Sequence, residues 1–211
     1  MVGQFDFTMS LKGKLPEPKM ELNGRLKDMM IGDQPAEASD FKLKFSADRL
    51  EGNGRFIGDT VQSDFIFPYN DEAPFKFYLK TKEWDFTQLF SLLSATAKKK
   101  DFSTVVTSEV DISAPKGGFW KSSGTAKITS FQMNRGPLSI LAPQPIKINF
   151  DNGLINTDSF FIEGDGTSFR WDIKNASKNN IITELNGKVS LSLISLLTPF
   201  LEDLRGSLSM S

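Results

Sequence analysis

Along most of the 211 residues, apolar and polar side chains trade places at every second position. Phe5, Phe7, Met9 and Leu11 alternate in this way, as do Phe41, Leu43 and Phe45, then Phe65 and Phe67, and Phe75, Phe77 and Leu79. The pattern resumes with Ile146, Ile148 and Phe150 and again with Phe169, Trp171 and Ile173. A two-residue period puts one set of side chains on each side of a pleated strand, so these runs predict strands with one dry and one wet face. Asn-Gly at 23–24, 53–54, 152–153 and 186–187 is the strongest short hairpin signal where it separates alternating runs, which predicts an antiparallel meander. Pro16, Pro18, Pro68, Pro74, Pro143 and Pro145 fall where strands should bend or end.

Two segments leave this period. Phe86, Leu89, Phe90, Leu93 and Ala97 share one face at helical spacing, with Asp85 placed to cap the start and Lys98 to Lys100 suited to the C-terminal end. Leu193, Leu196, Leu197, Phe200, Leu201 and Leu204 form a similar stripe, interrupted by Pro199. Both read as short helices, with a bulged buried strand as the alternative.

Laying one half of the chain over the other exposes a repeat. FTQLFSLL at 86–93 matches SLSLISLL at 190–197, FKLKF at 41–45 matches IKINF at 146–150, Phe56-Ile57 matches Phe161-Ile162, and Phe65 and Phe67 match Phe169 and Trp171. All four shifts are 104 or 105 residues and occur in the same order, which predicts two copies of one unit, 1–111 and 112–211, in one continuous repeat domain.

Composition changes this picture mainly by exclusion. A net charge of −1 leaves no electrostatic footprint for nucleic acid. The absence of His and Cys removes the usual general base, the thiolate nucleophile and the commonest metal ligands, so no enzyme activity, metal or cofactor is expected. Glu83 and Asp85 form the one candidate acid pair, without a third polar group beside it. PKGGFWKSSG at 115–124 lacks phosphate-loop order and reads as a turn. Asp158, Glu163 and Asp165 lack the calcium-loop spacing and read as solvated turn carboxylates. Nineteen Phe against two Tyr and three Trp skew the aromatic set towards rings with no polar handle. No run reaches the roughly 18 apolar residues of a membrane span, and MVGQFDFTMS has no secretory-leader pattern. Alternation begins and stops abruptly at the two ends, so the chain is expected to be an internal piece of a longer repeat.

A segment rich in Pro and turns (GKLPEPKMELNG) precedes the alternating strand FKLKF; LEGNGRFIGD follows as a Gly-rich hairpin, and WDFTQLFSLL closes the unit. The second copy keeps this order with SAPKGGFW, IKINF, IEGDGTSFRWDI and SLISLLTPFLEDLRGSLSMS. In this ordered set the chain resembles the AsmA-like proteins, and within them the TamB branch, the inner-membrane subunit of the bacterial translocation and assembly module. The resemblance implies an all-β fold in which an elongated antiparallel repeat sheet curls into an open apolar groove, a β-taco, with one or two short helices. It also implies a periplasmic setting within a longer inner-membrane-anchored protein of a Gram-negative bacterium, and phospholipid acyl chains as cargo. An outer-membrane β-barrel assembly protein of the TamA/BamA type is the implied partner, in lipid transport or in outer-membrane protein assembly.

The apolar positions of the six runs named above, Phe5 to Leu11, Phe41 to Phe45, Phe65 and Phe67, Phe75 to Leu79, Ile146 to Phe150 and Phe169 to Ile173, are the expected groove lining. Two other classes compete with the groove: a structural or adhesive β-repeat protein with a self-filled core, and a carboxylate-based hydrolase. Lys42, Lys44, Lys76, Lys80 and Lys147 belong to the opposite face, as a solvated surface that also discourages edge pairing.

Overall fold

The computed structural model describes residues 2–13, 19–31, 34–70, 73–87, 102–115, 118, 121–177, 180–191 and 207–210. Nearly all of them are strand, in one sheet of sixteen segments. In chain order these are β1 (Val2–Lys12), β2 (Lys19–Ile31), β3 (Gln34–Ala36), β4 (Ser39–Phe45), β5 (Arg49–Phe56), β6 (Val61–Pro68), β7 (Phe75–Asp85) and β8 (Phe102–Ala114). They continue as β9 (Ser123–Arg135), β10 (Leu138–Leu141), β11 (Ile146–Asp151), β12 (Leu154–Thr157), β13 (Phe160–Gly164), β14 (Thr167–Ala176), β15 (Ile181–Ser190) and β16 (Ser207–Met210). Every pairing is antiparallel, and the sheet is elongated and curled, as the two-residue period predicts.

Several short segments are halves of one broken strand. β3 and β4 pair with β2 in a single register, Met29 opposite Ala36 and Met20 opposite Phe45. β10 and β11 lie end to end along β9, separated by the stretch that holds Pro143 and Pro145, which cannot donate to the ladder. β12 and β13 likewise lie end to end along β14. The chain is therefore a simple meander of about thirteen rungs, which at about 4.8 Å per rung reaches on the order of 60 Å. Its accessible surface is 13550 Å², well above the about 9,800 Å² of a compact monomer of this mass.

Three of the four Asn-Gly pairs are not turns. Asn152-Gly153 makes the β11–β12 hairpin with φ of 47° and 90°, the all-positive geometry of a type I′ turn. Asn23-Gly24, Asn53-Gly54 and Asn186-Gly187 sit inside β2, β5 and β15. Aromatic rings explain this placement for Gly24 and Gly54, whereas a Cβ on Gly187 would meet the Ser168 carbonyl oxygen at 2.3 Å. Phe41 lies opposite both Gly24 and Gly54, and a Cβ on Gly24 would meet its ring at 2.3 Å. Phe65 lies opposite Gly52, where a Cβ would meet that ring at 2.2 Å. The rings lie down across the bare backbone, so glycine here makes room on a face and does not reverse the chain. LEGNGRFIGD is accordingly mostly strand, and the β5–β6 reversal falls at 57–60, where Ile57 and Gly58 take positive φ. Asp165-Gly166, also at positive φ, makes the β13–β14 turn.

The unit boundary drawn at 111/112 falls inside β8, and the sheet runs through it without interruption. Two repeat matches also need correction. Phe161 points to the polar side; Gly52 lies opposite Leu43 as Thr157 lies opposite Ile148, so Phe160 stands at the position of Gly54 and Ile162 at that of Phe56. Phe169 lies opposite Ile162 as Val61 lies opposite Phe56, and Trp171 lies opposite Phe160 as Ser63 lies opposite Gly54, so Phe169 and Trp171 are not the spatial counterparts of Phe65 and Phe67. The physical reason is hairpin length: β13 and β14 continue past this point to a two-residue turn, whereas β5 turns just after Phe56. The predicted helices at 86–97 and 193–204 lie almost wholly outside the described residues. At their margin, Asp85 Oδ1 accepts the Thr87 N–H at 2.8 Å, a capping bond.

Candidate functional site

Cross-strand partners in an antiparallel sheet point to the same side. Following them across the sheet collects apolar side chains into rows along its long axis. One row passes through Met9, Leu22, Leu43, Gly52, Phe65, Phe77, Ile112, Gly124, Phe150 and Ile155. Its neighbour passes through Phe7, Gly24, Phe41, Gly54, Ser63, Leu79, Val110, Ala126 and Ile148. Leu11, Phe45, Phe67 and Phe75 extend a third row, and Phe5 and Ile146 belong to a fourth. Phe169, Trp171 and Ile173 join the same side through Ile162, Phe160 and Thr183. All eighteen predicted lining residues thus share one face.

That face is only partly covered. Phe5, Phe7, Met9, Leu11, Phe67, Trp171 and Ile181 retain 37 to 69% of their surface. Rings gather along it: Phe5 stacks on Phe41 with centroids 5.9 Å apart and on Phe7 at 5.5 Å, and Phe75 contacts Phe67 and Phe77 at 6.2 and 6.3 Å. The closed part of the face lies under β9 to β13, where Met133, Ile140, Ile146, Phe160 and Ile162 form a buried cluster. Towards one rim the rows change chemistry. Ser39, Thr81 and Thr104 are buried there; Thr81 Oγ1 accepts the Ser108 N–H at 2.9 Å, and Ser39 Oγ accepts the Ile57 N–H at 2.9 Å.

The opposite face is polar in equally regular rows. Asp6, Arg25, Asp40 and Arg55 follow one another across four strands with alternating sign, as do Glu21, Lys44 and Glu51. Lys27 Nζ reaches Asp6 at 2.9 Å and Lys42 Nζ reaches Glu21 at 2.5 Å, and these lysines hold both carboxyls below the ordinary range. Each exposed pair adds only about 0 to 1 kcal/mol, so their larger effect is on register, because a one-residue slip would exchange the two faces. Lys42, Lys44, Lys76, Lys80 and Lys147 all belong to this face.

Sequence reading missed two features. Met20, Leu22, Leu50, Phe56, Val61, Val110, Ile112, Phe160 and Ile162 also belong to the apolar face, but glycine and polar neighbours break up their alternation. Cross-strand register, not period, is the signal that finds them. The second is Asp172, buried on the polar side, whose carboxylate accepts from Ser159 Oγ and lies 2.9 Å from Arg170 Nε. Ser159 first and Arg170 second hold this carboxyl below its ordinary pKa. Of the carboxylates weighed for chemistry, Asp85 is engaged in its cap, and Glu83 sits on a β7 bulge with its N–H bonded to Thr107 Oγ1 at 2.9 Å. Among the described residues no His, Cys, Asp or Glu group is arranged to hold a metal. Gly118 and Lys121 donate N–H bonds to Pro115 and Gly118 carbonyls in the 115–124 connection, as expected of a turn. No protein-family model, no curated protein and no solved structure matches this chain.

Proposed function

We propose that the chain is a lipid-conducting groove element whose apolar face shields phospholipid acyl chains. The observation that carries this reading is the continuous set of half-exposed Phe, Leu and Met side chains on one side of a single sheet. Ordinary soluble proteins bury such rows under a second layer, and a contiguous exposed apolar surface marks a binding surface. Burying acyl methylenes contributes about 0.8 kcal/mol each, on the order of 10 kcal/mol for a sixteen-carbon tail, enough to offset much of the cost of leaving a bilayer. Rows running along the sheet give a tail several equivalent positions, with Ser63 the one polar side chain in the two rows traced above, which suits movement better than storage. The periplasmic setting, the outer-membrane β-barrel partner of the TamA/BamA type and a contribution to outer-membrane protein assembly rest on the family resemblance alone. No catalysis is part of this proposal.

The test compares two places on the same face. Phe7→Asp puts a carboxylate on the exposed part, where water solvates it in the empty protein, so folding should survive while uptake of a fluorescent phospholipid falls at least severalfold. Phe160→Asp puts the same charge in the buried cluster without a partner, which should cost several kcal/mol and unfold the protein. Phospholipid retained by the unsubstituted protein in native mass spectrometry completes the expectation. Unchanged lipid uptake by a folded Phe7→Asp variant overturns the groove.

A further inference from the structure

Across β2, β4, β5 and β6 one row of the apolar face carries little side-chain bulk. It passes from Gly24 to Phe41, Gly54 and Ser63. Neither glycine has positive φ, so backbone conformation does not require them. What they supply is room. A Cβ on Gly24 would come within 2.3 Å of the Phe41 ring, and one on Gly54 within 2.7 Å of the Phe56 ring, in both cases at the far end of the ring. Each ring therefore fills the place of a missing side chain and lies against the sheet, and Phe41, on an interior strand, is still only half-buried.

The second half of the chain holds the same row in a filled form. Phe41 and Ile146 are equivalent positions of FKLKF and IKINF, and Gly24 lies opposite Phe41 as Ile128 lies opposite Ile146. Gly54 and Ser63 correspond to Phe160 and Trp171. Ile, Ile, Phe and Trp thus stand where the first half has Gly, Phe, Gly and Ser. The outcome differs accordingly. Ile146 and Phe160 are buried in the closed cluster, Ile128 packs against it, and the Phe160 and Trp171 ring centroids are 5.6 Å apart. The neighbouring row changes less, since its equivalent positions Leu43 and Ile148 keep a branched aliphatic side chain in both halves.

We infer that Gly24 and Gly54 set the calibre of the groove and select lipids with two tails. By letting the Phe41 and Phe56 rings lie down, they clear a second track beside the row of Leu43. Adjacent rows are two residues apart along a strand, about 6.8 Å, so each acyl chain of a diacyl lipid takes one row and the two lie side by side. A single-chain lipid needs only the row of Leu43. The inference rests on the groove reading above and adds to it the residues that decide which lipids fit. A ring covering bare backbone also steadies a strand, and that structural role alone would not discriminate between one tail and two.

Uptake of two probes, a fluorescent diacyl phosphatidylethanolamine and a fluorescent palmitate, tests this beside thermal melts. The unsubstituted protein should take up both. Gly24→Ala lifts the Phe41 ring and leaves the row of Leu43 alone, so uptake of the diacyl probe should fall severalfold while palmitate uptake stays the same. Adding Phe41→Leu, which leaves no ring to lift, should restore the diacyl probe. Phe41→Leu by itself introduces no clash and should keep the unsubstituted ratio of the two probes, which decides the matter even where Gly24→Ala does not fold. An equal fall of both probes or an unchanged ratio in folded Gly24→Ala, failure of Phe41→Leu to restore uptake, or a loss of the diacyl probe in Phe41→Leu alone overturns the inference and leaves the groove standing. So does an unsubstituted protein that takes up palmitate only. Uptake of neither probe by the unsubstituted protein overturns the groove itself, and the inference with it.

Discussion

Asp172 shows how a single side chain secures a place where the sheet is interrupted. The β12–β13 strand breaks at Asp158 and Ser159, and the buried carboxylate across from the break takes the Ser159 hydroxyl and the Arg170 guanidinium. A carboxyl whose pKa is lowered on folding contributes stability that is fully present above its unfolded value of about 4 and is lost as pH falls through the folded value. Unfolding midpoints of the natural chain and of Asp172→Asn, measured from pH 7 down to pH 2.5, should therefore differ most near neutrality and converge in acid. A difference that stays constant across that range would show that the carboxylate charge contributes nothing. Asp6 and Glu21 have lowered pKa values for the same kind of reason, but their exposure lets solvent screen the effect.

At the level of strands, period-two alternation was enough to locate β1, β4, β6, β7, β11 and most of β14, and to sort their residues onto two faces. Cysteine at 43 and at 44 should be labelled by a soluble maleimide at unequal rates, with 44 faster, because Leu43 faces the apolar rows while Lys44 is exposed on the other side. Added phospholipid should widen the gap by slowing only position 43, and equal rates would contradict the assigned register. Where alternation misled, the cause is particular. Asn23-Gly24 and Asn53-Gly54 carry turn chemistry, yet a ring lying across each glycine keeps them in strand, and nothing local in the sequence reveals which ring will do so. β5 escaped the pattern because Gly52 and Gly54 occupy its apolar positions. Asp172 escaped it because burial on a polar face depends on the break opposite, which comes from another strand. The apolar face was legible since alternation survives any curl, whereas its partial exposure depends on the absence of a second layer over β1 to β7 among the described residues, a tertiary fact.

Across the whole molecule, the apolar face divides into a closed part under β9 to β13 and an open part reaching to β1. Rings resting on glycine backbone reduce what projects from the open part, while the alternating charges of the other side keep the strands in step. The resemblance to a repeating β-groove and the rows of half-exposed side chains support the same reading from different directions, one from the order of motifs and one from register.

Each rung of this meander touches little beyond the rung before and the rung after it. A globule loses all its contacts together, but a one-dimensional stack can surrender its outermost member and leave the remainder nearly intact. Unfolding should accordingly resemble fraying, with amide protons of β1 exchanging first, those of β4 to β7 later, and those of β9, β11 and β13 last, as in a graded set of local openings. Hydrogen exchange read peptide by peptide would display this gradient directly, and uniform protection from β1 to β13 would mean that the stack unfolds as one unit. For the groove proposed above, the gain would be tolerance: damage at one place costs a few rungs and spares the rest.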